Sequence, residues 1–253
     1  MPSNSICGES SQVLYKLLGS SKTGAVFMSE NEPGLFKKWF WNTYDYLGTL
    51  IIINILCVLL LLPLVTIPFA FAGLFRVTGR IAAYEKAGIR DFFSYNRTDL
   101  GRYYCLCLLY LGALLALFIN IFFYVNAMPE WPWVGAILSG VMIWLVAFVC
   151  MTAVYTFPLA QSKQFSVRQI IQLGIFLVID NMKRSIILLI GGGLVIIFSL
   201  VSGVGLVFIG LGATAVLFST GVREIRKRYD FSEEHIFEEV RGWRDLFRPW
   251  GYS

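Results

Sequence analysis

Residues 185–220 read SIILLIGGGLVIIFSLVSGVGLVFIGLGATAVLFST, thirty-six positions without one charged side chain. A helix of that length at 1.5 Å per residue would be about 54 Å long, against a hydrocarbon core of ~30 Å. A single span does not accommodate it, so the run must fold back on itself, and the polar, glycine-containing break at 202–205 is the expected place. The alternation of apolar and polar residues that marks a membrane β-strand is absent, because both parities are apolar. Helices close their backbone hydrogen bonds internally and are the remaining way to place such a run in lipid.

Working outward, the same character recurs at 46–62, 103–125 and 133–157. The whole chain of 253 residues is 57% hydrophobic and only 15% charged, against roughly 25% charged in soluble domains. The expected fold class is all-α: a polytopic bundle of transmembrane helices with an amphipathic C-terminal helix.

The net charge of +5 is read as orientation rather than as nucleic-acid binding, because the bases flank the apolar runs. The connection 85–102 carries Lys86, Arg90, Arg97 and Arg102, and 161–184 carries Lys163, Arg168, Lys183 and Arg184. The segment after Gly221 carries Arg223, Arg226, Lys227 and Arg228, whereas 126–132 and 202–205 carry no base. Basic loops stay in the cytoplasm, so these connections alternate in, out, in, out, in. Lys37 and Lys38 also favour the inside. Six crossings follow, with 63–68 as an outer hairpin and both termini cytoplasmic. Five is the alternative, with 69–87 lying along the far interface. The six-span reading puts Arg76 at membrane depth, which costs ~2.5–3.5 kcal/mol if it is unpaired at the centre.

Three units follow. Residues 1–34 form a polar extension expected to be disordered, with translation from Met28 as a variant of that reading, and no signal-peptide core is visible. Residues 35–228 are the membrane domain. Residues 229–253 are a cytoplasmic amphipathic tail, in which Ser232 is an N-cap and Ile236, Phe237, Val240, Trp243 and Phe247 share one face. The segments 166–181 and 91–100 precede spans and are expected along the cytoplasmic side.

The side chains that carry chemistry are few. His235 is the only histidine, the five cysteines have no metal-site spacing, and no acid falls in the middle of a span. Proton-coupled transporters usually carry such an acid. No catalytic, metal or cofactor site is expected. The glycines at 191–193, 203, 205, 210 and 212 fit close helix packing better than a nucleotide loop. Asn54 and Asn120 are polar inside spans and fit interhelical hydrogen bonds.

The sequence Tyr44-Asp45-Tyr46-Leu47, then Asn54, then Leu62-Pro63-Leu64-Val65-Thr66-Ile67 resembles the opening of the YesL family of bacterial membrane proteins. The likeness continues through Asp91-Phe92-Phe93 and more loosely through Asp180-Asn181-Met182-Lys183-Arg184, covering about 35–228. Pro68, Arg76 and the tail depart from the pattern. The resemblance implies the bacterial cytoplasmic membrane. It supplies no biochemical activity to carry over. Members often accompany carbohydrate-uptake systems, which implies a non-catalytic accessory or assembly role there, with membrane lipid and a sugar transporter as partners. The alternative is a small transporter or channel acting as a homo-oligomer. An intramembrane enzyme is the least favoured class.

The candidate functional residues are Asn54, Pro63, Thr66, Pro68, Arg76 and Arg80. Each proline removes a backbone donor, and freed carbonyls in lipid must face protein or a wet cavity. Arg76 and Arg80 share a helix face at i, i+4, and a hairpin brings Asn54 to a similar depth. The expectation is a cationic cavity for an anionic ligand or lipid headgroup, set against plain contact of the two arginines with lipid phosphates.

Overall fold

The computed structural model describes residues 34–94, 97–126, 132–162, 165–203 and 205–227. Within them the chain forms α1 (Leu35–Asp45), α2 (Leu47–Leu61), a 3-10 turn (Leu64–Thr66), α3 (Ile67–Ala82) and α4 (Ile89–Phe93). It continues through α5 (Arg97–Asn126), α6 (Pro132–Leu159), α7 (Val167–Asp180), α8 (Met182–Val201), a π-helical segment (Leu206–Gly210) and α9 (Leu211–Arg226). No strand occurs among the described residues. The N-terminal extension and the amphipathic tail lie outside them.

Four helices are long and apolar enough to cross a bilayer: Asp99–Asn126, Trp133–Leu159, Met182–Val201 and Phe208–Arg226. The pair α1–α2 adds up to a fifth, although it bends by 83° at Tyr46. The described residues are therefore all helix and connecting turn, with the apolar helices of a membrane-embedded protein. The α2 and α3 arms have 15 and 16 residues, about 22 and 24 Å by helical rise, which is short of the ~30 Å core. Helix α1 takes up the aromatic, lysine-bearing stretch 35–45 and is set at 83° to α2.

The fold-back in 185–220 falls at the expected break. Helix α8 ends at Val201, and Gly203 takes φ +63, a conformation that costs glycine little and other residues more. Helices α8 and α9 then return side by side. A Cβ on Gly192 would sit 2.5 Å from the ring of Phe218, and one on Gly221 would sit 2.5 Å from Leu188. Small residues let the backbones approach this closely.

Helix α9 is the central strut. Two thirds of its most apolar window (67%) is buried, against 11% for α5 and 17% for α6. It packs on α3, where the Thr78 and Ser219 hydroxyls lie 3.1 Å apart. Arg223 donates to the Ala82 carbonyl and lies 5.4 Å from the centre of the Tyr84 ring. Tyr84 sits at φ 57 just past α3, where the Glu85 N–H closes back on the Arg80 carbonyl, so Arg223 braces a turn that more often takes glycine. The outward faces of α5 and α6 are bare hydrocarbon, with Leu111, Phe118, Phe122, Ile137 and Trp144 all exposed.

Helix α7 starts at a capping box. Ser166 and Gln169 bond each other reciprocally, as the S-x-x-Q spacing allows. Gly174 then lies against Thr156, so α7 packs beside the C-terminal half of α6.

Candidate functional site

The two prolines open the chain between α2 and α3, and side-chain hydroxyls bond carbonyls around the break. The Thr66 hydroxyl reaches the Leu60 carbonyl and the Pro63 carbonyl. The Tyr104 hydroxyl donates to the Val65 carbonyl at 2.8 Å. Pro68 falls in the first turn of α3, where a missing N–H costs nothing.

Asn54 is fully buried in α2. Its Oδ1 accepts the backbone N–H of Gly212 at 2.8 Å. Gly212 lies in the first turn of α9, just past the π-helical segment, where the change of hydrogen-bond spacing leaves donors in need of an acceptor. A buried donor left unmade costs about 1–3 kcal/mol, so Asn54 ties α2 to the start of α9. Asn120 bonds the Ala116 carbonyl of its own helix, in place of the interhelical bond expected from its position.

Arg76 and Arg80 come together in a cleft of about 300 Å³ at one end of the bundle, which Asp91, Asp99, Tyr103 and Gln161 also line. Of the six residues singled out in the sequence, the structure brings these two to one place. Asn54, Pro63, Thr66 and Pro68 are not among the residues that line the cleft.

Neither arginine is isolated at membrane depth. Arg80 Nη1 pairs with Asp91 Oδ1, and its Nε lies 3.1 Å from Glu85 Oε2. The other oxygen of Asp91 accepts the Gly88 N–H at 2.9 Å, which starts the short helix α4. Arg76 Nη1 lies 3.5 Å from Asp99 Oδ2. That is an ion pair, but too long for a good charge-assisted hydrogen bond. The Asp99 side chain is only 11% exposed and Arg76 is 30% exposed.

The walls are fixed by bonds that leave the charges facing the opening. Tyr103 donates to the Phe157 carbonyl at 3.0 Å, Gln161 donates to the Phe75 carbonyl, and Arg102 donates to the Ser162 carbonyl at 3.0 Å. Behind them, Phe75 stacks on Phe157, with centroids 5.8 Å apart and planes 13° apart. Phe92 is wholly buried against Gly73, and this contact holds α4 and Asp91 over the cleft.

A second buried charge lies between α1 and α9. Lys38 of α1 is 4% exposed, and its Nζ is 3.0 Å from Glu224 of α9, whose Oε1 also lies 3.4 Å from Lys227. From sequence Lys38 reads only as a base that favours the cytoplasmic side; its burial against Glu224 is what the structure adds. Three neighbouring buried groups, Trp41 Nε1, Asn42 Nδ2 and Thr220 Oγ1, make no hydrogen bond.

Reasoning from sequence missed Asp91 and Asp99 as members of the site. The available signal was the arginine itself: a guanidinium at membrane depth requires an acid, and these two are the acids nearest the mouth of the next span. Among the described residues no group of three or more His, Cys, Asp or Glu is placed to hold a metal ion. Comparison with family models, characterised proteins and solved structures finds no match.

Proposed function

We propose that this chain is a YesL-like, non-catalytic component of the bacterial cytoplasmic membrane, an accessory or assembly factor working beside a carbohydrate-uptake system. The observation that supports this is how the charged groups within the bundle are used. Lys38 meets Glu224, Arg76 meets Asp99, and Arg80 meets Asp91. Each pair joins different helices, so these charges tie elements of the bundle together, with the looser Arg76–Asp99 pair standing in the wall of the cleft. Co-purification of the tagged full chain from native membranes tests the role. A stoichiometric transporter is the expected companion. Recovery of a lone homo-oligomer overturns the accessory reading in favour of a small transporter, to which the cleft would then belong.

The topology that goes with this reading has both termini in the cytoplasm. Three hairpins support it. The Tyr46 hydroxyl at the start of α2 donates to the Glu85 carbonyl just past α3 at 3.1 Å, so that hairpin returns to its starting side whether it crosses fully or dips and re-emerges. Helices α5 with α6 and α8 with α9 form the other two. The Lys38–Glu224 pair brings α1 beside the last turn of α9. Full crossing by α2 and α3 gives six spans. Reporter fusions at Met28 and Ser253 are expected to read cytoplasmic, and a periplasmic reading at Met28 restores five spans.

A further inference from the structure

The cleft holds two guanidiniums and two carboxylates and so carries no net charge. The four groups are not equally engaged. Asp91 is committed through both oxygens, and Arg80 bridges Asp91 and Glu85. Among the described residues the side chains of Arg76 and Asp99 make no hydrogen bond; only the 3.5 Å ion pair joins them. An open cation and an open anion thus stand side by side on the wall of a cavity of about 300 Å³, a volume at the lower end of small-ligand pockets.

That arrangement selects its ligand by charge. A simple anion gains Arg76 but lies against Asp99, and an unmatched like charge is how sites reject the wrong partner. A small zwitterion satisfies both groups and closes an alternating ring of four charges. The guanidinium suits a phosphate group, which it engages through two parallel N–H donors. The buried carboxylate suits an ammonium that still carries N–H donors.

The position of the cleft decides where the zwitterion comes from. Asp99 is the first residue of the span Asp99–Asn126, and Gln161 lies two residues beyond the span Trp133–Leu159. The cleft therefore sits where two hydrophobic spans end, at the depth of lipid headgroups. We propose that it binds the phosphoethanolamine headgroup of a membrane lipid, with the phosphodiester on Arg76 and the primary ammonium on Asp99. This requires the helices to be membrane-embedded and is independent of the accessory role.

The test is lipid binding to the purified full chain in detergent, read by native mass spectrometry. The probes are short-chain phosphatidylethanolamine, phosphatidylcholine and phosphatidylglycerol, together with free phosphoethanolamine. Phosphatidylethanolamine is expected to bind about tenfold more tightly than the other two lipids, the discrimination that a lost charge-assisted hydrogen bond brings. Phosphatidylcholine has no N–H for Asp99, and phosphatidylglycerol has no cation. Asp99→Asn leaves the cleft with a net positive charge and is expected to shift the preference from phosphatidylethanolamine to phosphatidylglycerol, a gain that misfolding does not produce. Equal binding of the three lipids by the wild-type protein overturns the proposal, and that comparison decides even if the variant does not fold. Free phosphoethanolamine binding as tightly as the lipid makes the ligand a soluble zwitterion and overturns the headgroup assignment.

Discussion

Replacing Glu224 with leucine is expected to destabilise the protein by about 3–5 kcal/mol, the usual cost of removing one partner from a buried ion pair. Lys38 is 4% exposed, so its charge stays buried with less compensation once the Glu224 carboxylate is gone. The size of the loss reflects that buried ammonium more than the worth of the pair itself. The double variant Lys38→Met, Glu224→Leu is therefore expected to recover most of the stability, since a well-packed apolar pair often matches a buried ionic one. Denaturant unfolding of the wild type, both single variants and the double variant in one detergent closes the cycle. Additive losses would show that the two side chains do not depend on each other.

A second large effect is expected at Gly73. A Cβ there would lie 2.8 Å from two ring carbons of Phe92 and 2.8 Å from the Phe92 carbonyl oxygen. Real Cβ atoms do not approach backbone so closely, so α4 must move. Overpacking of this kind costs about 1–3 kcal/mol, and Gly73→Val is expected at the upper end. The displacement carries Asp91 away from Arg80, so the substitution loosens the cleft as well as the core. Trimming the ring with Phe92→Ala is not expected to rescue Gly73→Val, because the carbonyl stays in the way. Thermal unfolding of the two single variants and the double decides it. A double variant as stable as Phe92→Ala alone would show that only the ring matters.

How far the sequence discloses this molecule depends on the distance over which each feature is encoded. The spans are local. An uncharged run such as 185–220 carries its own length, and a helix too long for the bilayer announces its turn. Helices α5 and α6 and the fold-back at Gly203 were legible for that reason. Capping is local too, and Ser166 with Gln169 could be read from spacing. Long-range pairing is not local. Lys38 looks only like a base that favours the cytoplasmic side because its partner lies 186 residues away, and nothing near position 38 announces burial. The 83° bend at Tyr46 is equally silent, since 35–46 and 46–62 read as one apolar approach and span.

The candidate site divides along the same line. Arg76 and Arg80 stood out because a guanidinium in an apolar stretch is conspicuous. The neighbours expected beside them came from hairpin geometry, which sets depth but not azimuth. Asn54 lies on the face of α2 that meets α9, so its amide oxygen serves Gly212. Thr66 turns inward on its own turn. The true neighbours come from α4, α5 and the end of α6, elements whose placement around α3 depends on packing contacts such as Gly73 on Phe92.

The Lys38–Glu224 pair also has a meaning in time. The chain is made from its N-terminus, so α1 reaches the membrane long before α9 exists. At about 5–20 residues per second, the 186 residues between the two partners take roughly 10–40 s to synthesise. Through that interval the lysine cannot yet meet Glu224, and the contact that ties α1 to α9 is still to be made. The contact between α1 and α9 is thus a late event in biogenesis, made only once α9 has been translated. The Lys38–Glu224 contact therefore reports on how far synthesis has gone: it forms only in a chain translated through α9.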